Sequence, residues 1–280
     1  MSNQCAMSNK KEMEERQKNE EAQLAQRMSQ IKHKILVMSG KGGVGKSTVS
    51  TNLAFALYQA GKKVGLLDVD LHGPSIPTML SLENEHVQGT DNTLFPVSIY
   101  DNFKVISMGF LLPKGDEAVI MRGPLKYHTI RQLLKDVEWG ELDCLIVDSP
   151  PGTGDEPLTV AQSINDLDGA IIVTTPQQVA ITDVKKSVNF CRRINLPVIG
   201  IIENMSGFIC PKCGEKVNIF ATNGGKRMAA EMDVPFLGQI PIEPQITVCC
   251  DTGRPYIQAF PDSETSRAFR KAVESLLKMS

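Results

Sequence analysis

At 280 residues the chain has room for one or two domains, and an apolar fraction of 41% is enough for a sizeable core. A net charge of −2 and the lack of a long basic block remove electrostatic support for binding nucleic acid. No apolar run approaches the roughly 18 residues that cross a bilayer, and the polar start MSNQCAMSNKKEMEERQKNEE has no signal-peptide core, so a cytoplasmic protein without a membrane partner is expected.

Residues 1–33 are polar and charged, with Leu24, Met28 and Ile31 as isolated apolar positions, and read as a flexible or helical arm. From Lys34 to Ser280 short β-branched runs alternate with helical patterns. The runs are KILVMS (34–39), KVGLLDVD (63–70), FKVISMGF (103–110), LDCLIVDS (142–149), DGAIIVTT (168–175), PVIGIIEN (197–204) and PFLGQI (235–240). Near-continuous apolar strands suit a parallel sheet covered on both faces. Residues 46–60, 122–136, 156–165 and 178–193 supply crossover helices. The predicted fold is α/β, a doubly wound, mostly parallel sheet, with a short cysteine-bearing insertion. The last segment places Phe269, Val273, Leu276 and Leu277 at helical spacing, as in a helix packed on the sheet.

SGKGGVGKST (39–48) follows the first strand and precedes a helix. It holds the pattern G-x-x-x-x-G-K-[ST], so Gly40, Gly42, Gly43, Val44 and Gly45 form a loop whose amides cradle phosphates. Lys46 is expected on the β- and γ-phosphates and Ser47 on Mg²⁺, and Thr48 completes the expected nucleotide-binding residues. Asp68 and Asp70 end the next strand, where ligands of open α/β sheets gather; Asp68, nearer the strand, would act through water bound to Mg²⁺. Asp148 ends the apolar run LDCLIVD and fits a carboxylate placed beside Mg²⁺. The loop SPPGTGD after it suits a segment that senses the terminal phosphate.

Cys210 and Cys213 form C-P-K-C-G. Two thiolates at this spacing serve one metal centre, but a zinc ion or a [4Fe–4S] cluster usually takes four ligands. The other two would come from a second copy of the chain, or from Cys249 and Cys250. The seven cysteines are odd in number and scattered, which does not describe a disulfide framework. Cys144 and Cys191 read as inert core thiols.

The motifs SGKGGVGKST, DVDLHGPSIP, VDSPPGTGD, ENMSGFICPKCG and GQIPIEP occur in this order. Together they resemble the Mrp/ApbC-type P-loop ATPases, part of the deviant Walker A class with MinD, ParA and the nitrogenase iron protein. The resemblance implies that Lys41 reaches across a homodimer interface to the partner's ATP. It also implies that Asp70 positions or activates the attacking water, and that Asn204 binds adenine in a pocket completed by residues 241–245. It further implies a subunit-bridging [4Fe–4S] cluster on Cys210 and Cys213, and its ATP-coupled transfer to client apoproteins. The nitrogenase iron protein carries cluster cysteines just after this carboxylate strand; here GTGDEPLTV has none, which favours a transferable cluster over electron donation. The competing readings are a MinD/ParA-like positioning ATPase and a P-loop ATPase with structural zinc at the cysteine pair.

Overall fold

A computed structural model describes residues 2–71, 73–90, 92–111, 123–210, 212–220 and 222–279, without the side chains of residues 2–11, 13, 178, 179 and 181. Arg122 at the expected helix start, Pro211 of the cysteine motif and the Cys5 side chain lie outside that description.

All seven apolar runs form strands of one eight-stranded sheet. In chain order its strands are β1 (Ile31–Met38), β2 (Val64–Asp68), β3 (Val97–Tyr100), β4 (Phe103–Ser107), β5 (Leu142–Asp148), β6 (Gly169–Thr174), β7 (Val198–Glu203) and β8 (Phe236–Gln239). The spatial order is β8-β7-β6-β1-β5-β2-β4-β3. Every neighbouring pair is parallel except β3 with β4. Strand β3 is the one the apolar runs did not reveal; it is a short, half-buried edge that turns back through Asp101 and Asn102.

The principal helices are α1 (Ser2–Ser29), α2 (Lys46–Gln59), α3 (Gly123–Asp136), α4 (Asp155–Ser163), α5 (Gln178–Arg193), α6 (Gly224–Glu231), α7 (Pro244–Asp251) and α8 (Glu264–Ala272). Strand alternation sends β1 side chains to opposite faces. Leu36 and Met38 enter a core that includes residues of α1, α3, α4, α5 and α6, whereas Ile35 and Val37 enter one that includes α2 and α8. The expected final helix breaks at Val273, between α8 and the single helical turn Glu274–Leu277. Its apolar side still faces the core, with Phe269, Val273 and Leu276 buried.

The arm is a helix over Ser2–Ser29, and it ends earlier than expected. Strand β1 begins at Ile31, so the boundary placed after residue 33 falls inside the sheet. Leu24 and Met28 sit one helical turn apart and are buried in the first core. Lys34 caps this junction: its Nζ donates to the Ile31 carbonyl at 2.6 Å and the Met28 carbonyl at 3.2 Å. It also pairs with Asp166 at 2.7 Å. Carbonyls at a helix C-terminus lack partners within the helix, which is why a buried cation is tolerated here. Burial of Leu24 and Met28 contributes about 2 kcal/mol each, so the arm is held through its last two turns, and residues 14–23 are exposed. Met28→Ala is expected to lower unfolding free energy by about 2–3 kcal/mol, measured as a shift of the denaturant midpoint at constant slope.

Candidate functional site

The carboxyl end of the sheet brings the sequence-predicted residues together. The loop between β1 and α2 turns through two left-handed glycines, Gly43 (φ 78°) and Gly45 (φ 77°), a conformation open to glycine without steric cost. Gly40 has a different requirement. A Cβ there would stand 2.5 Å from the Asp183 carbonyl oxygen on α5. The loop is tied to the segment after β5: the Gly152 N–H donates to the Ser39 carbonyl at 2.7 Å. Residues of the loop from Lys41 to Thr48 join Asp70, Ser75, Met79 and Pro151 around a cavity of about 220 Å³. Lys41 and Asp70 thus line the same space.

Beneath the loop lies a buried charge cluster. Asp148 is fully buried and pairs with Lys46 Nζ at 2.6 Å. It accepts from Ser47 Oγ at 2.7 Å and from Ser50 Oγ at 2.5 Å. Ser50 was not anticipated. It stands one turn beyond Lys46 on α2, and that spacing is the signal that could have found it.

The β2–β5 register sets Asp68 directly beside Asp148. Asp68 accepts from Ser107 Oγ at 2.9 Å and from the Asp70 N–H at 3.0 Å. Burial first, and the neighbouring Asp148 charge second, raise its pKa to about 7; the Asp70 amide, Lys46 and Ser107 oppose the shift. Ser107 was likewise missed, although it is the register partner of Asp68 on β4.

The hydroxyl of Ser47 and the two carboxylates form a hard-oxygen donor set. Two adjacent carboxylates, one pushed towards neutrality by burial and then by its neighbour's charge, are a setting that a divalent cation would relieve. These residues therefore fit Mg²⁺.

Asn204 is buried at the end of β7, and its Nδ2 donates to the Val44 carbonyl at 2.9 Å. In this arrangement the amide braces the phosphate loop.

Cys210 and Cys213 lie apart from this cavity, on a small hairpin in which Phe208–Ile209 pairs antiparallel with Lys216–Val217. The Cys210 N–H donates to the Glu215 carbonyl at 2.9 Å, and the Gly214 N–H to the Cys210 carbonyl at 2.8 Å. Gly214 is left-handed (φ 73°), closing the turn. Cys213 is exposed and Cys210 half-buried. Backbone amides of Cys213 and Lys212, then the Cys213 side chain, hold the Cys210 thiol below the ordinary cysteine range.

The alternative ligand source is not assembled. Cys249 is buried, and Cys250 hydrogen-bonds the Thr48 side chain at the far end of the phosphate loop. Among the described residues no group of three or more His, Cys, Asp or Glu is placed to hold a metal. Cys144 and Cys191 are buried, and burial pushes the Cys191 thiol up to about 12, as expected of inert core thiols. No helix among the described residues is long and apolar enough to cross a membrane.

Comparison with known proteins places this geometry. The chain is 51% identical over 259 residues to an iron-sulfur cluster carrier protein of Methanocaldococcus jannaschii, covering 92% of this chain and 89% of that one. A nucleotide-binding protein of Archaeoglobus fulgidus, solved in complex with ADP, is 41% identical and superposes with a TM-score of 0.74 over 84% of this chain and 91% of that one. The MinD protein of Pyrococcus horikoshii, at 23% identity and a TM-score of 0.62 over 88% and 96% of the two chains, shares the fold. The family model described as ParA, NUBPL iron-transfer P-loop NTPase, matches residues 30–277, and the chain belongs to that family.

Proposed function

We propose that this protein is a cytoplasmic ATPase that assembles a [4Fe–4S] cluster between two copies of itself and passes it, as cargo, to apoproteins. The observation that carries the reading is a half-complete thiol site. Cys210 and Cys213 present two donors at the surface, and no described residue of the same chain supplies a third. A two-fold axis beside the hairpin would bring four equivalent thiols together. Family membership and the carrier relative support iron–sulfur cargo over a structural zinc.

The nucleotide half follows from the buried charge cluster. Lys46 Nζ, held beside Asp148, is positioned to share its positive charge with the β- and γ-phosphates. Ser47 and Asp148, with Asp68 behind them, would hold Mg²⁺, which would supply positive charge against the phosphate oxygens. Asp70 faces the cavity and orients the attacking water towards the γ-phosphorus; the bond to the β-phosphate oxygen breaks, giving ADP and phosphate. Lys41, on the same cavity, is available to the nucleotide of the facing subunit, which makes the homodimer part of the reaction. Asn204 holds the loop at Val44 and lies beside the strand end where adenine is expected.

Two measurements test the halves separately. Gly40→Ala sets a methyl against Asp183 backbone, so the loop must shift; ATP affinity is expected to fall about tenfold or more, equivalent to about 1.4 kcal/mol, in a titration calorimeter, with iron loading of the hairpin retained. Conversely, Cys210→Ala or Cys213→Ala should abolish iron and acid-labile sulfide after anaerobic reconstitution, while the ATP affinity of the metal-free variants stays within about twofold of metal-free wild type, because the hairpin lies off the cavity. Equal loading of the double variant and the wild type would reject the thiol site, and stoichiometric zinc without sulfide in protein purified anaerobically would reassign it.

A further inference from the structure

Glu203 lies between the two halves, and nothing above uses it. It is the last residue of β7 and wholly buried. Its carboxylate accepts three hydrogen bonds. Ser206 Oγ donates to Oε1 at 2.5 Å, Gln239 Nε2 to Oε1 at 2.8 Å, and the Gly225 N–H to Oε2 at 2.6 Å. The Gly225 amide belongs to the first turn of α6, where the helix dipole favours a negative charge. Bonds to an ionised acceptor in a dry site are short and stiff.

On one side of Glu203, Asn204 grips the phosphate loop at Val44. Its Nδ2 lies 2.3 Å from where a Gly45 Cβ would stand, so the amide is packed against that turn. On the other side the chain bends through Met205 (φ 57°) and Gly207 (φ 80°) into the cysteine hairpin. The bend is fastened by Ser206 N–H to the Ile240 carbonyl at 2.8 Å and by Ile242 N–H to the Gly207 carbonyl at 2.7 Å. Residues 204–210 therefore form one fastened strip from nucleotide loop to thiol, with the Glu203–Ser206 bond as its brace.

We propose that Glu203 is a positioning residue that transmits the state of the phosphate loop to Cys210 and Cys213. Nucleotide contact displaces Val44 and the Asn204 amide with it, and the brace carries that displacement into the hairpin. The coupling is reciprocal, so occupancy of the thiols alters ATP affinity by the same factor. The inference rests on the nucleotide and thiol roles proposed above, and names the residue that joins them.

The test needs no iron. Reduced, metal-free protein is alkylated with iodoacetamide with and without saturating Mg-ATP, and each cysteine is followed by peptide mass spectrometry. In the wild type, Mg-ATP is expected to change the Cys210 alkylation rate by about fivefold, the scale of ordinary allosteric coupling. Glu203→Gln places an amide donor where only acceptors fit both Gly225 and Gln239, so at least one bond is lost. Its nucleotide response is expected to fall below half the wild-type value while ATP still binds. Buried Cys144 and Cys191 must stay protected, reporting an intact core. Should Glu203→Gln expose them, Ser206→Ala, which removes the brace alone, decides the matter through the same response. A wild type whose Cys210 ignores Mg-ATP, or a folded variant that keeps the full response, overturns the proposal. Failure of iron loading with an intact alkylation response would strike the cargo reading instead.

Discussion

The structure depends on one buried constraint, the ion pair between Lys46 and Asp148 at the end of β5. Removing one member of such a pair leaves an unpaired charge in a dry interior, typically about 3–5 kcal/mol. Here the same carboxylate also takes the Ser47 and Ser50 hydroxyls, so a single group fastens the first turns of α2 to the central strands. The parallel register then places a second carboxylate, Asp68, directly alongside. The charge of Asp148 thus both secures the loop and disfavours ionisation of its neighbour, and the site is primed for positive charge.

Much of this was legible in the sequence because it is written in local patterns. Each apolar run became a strand since strands covered on both faces need no alternation. The glycine loop and Asp148 were found at their strand ends because the chemistry requires those residue types there. What escaped depends on neighbours remote in sequence. Ser107 matters only through its register with Asp68, and Glu203 only through donors from Ser206, Gly225 and Gln239. The arm shows the same limit from the other side. Leu24 and Met28 looked isolated because two apolar residues make no pattern, yet one helical turn between them is enough to dock a helix.

Asn204 shows how a family resemblance and a structure complement each other. The resemblance implies an adenine contact for this residue, and the structure shows its amide donating to the Val44 carbonyl. A side chain bonded to the loop backbone moves with that loop.

The exposure of Cys213 at the tip of its hairpin has a kinetic consequence. Under the cargo role proposed above, a donor that projects into solvent would leave a bound cluster open to approach from outside. An incoming thiolate would bond before the resident sulfur departed, so exchange would follow an associative route. A deep cage of four thiols would bind more firmly and surrender its contents more slowly. In that role the shallow perch would trade retention for speed of delivery.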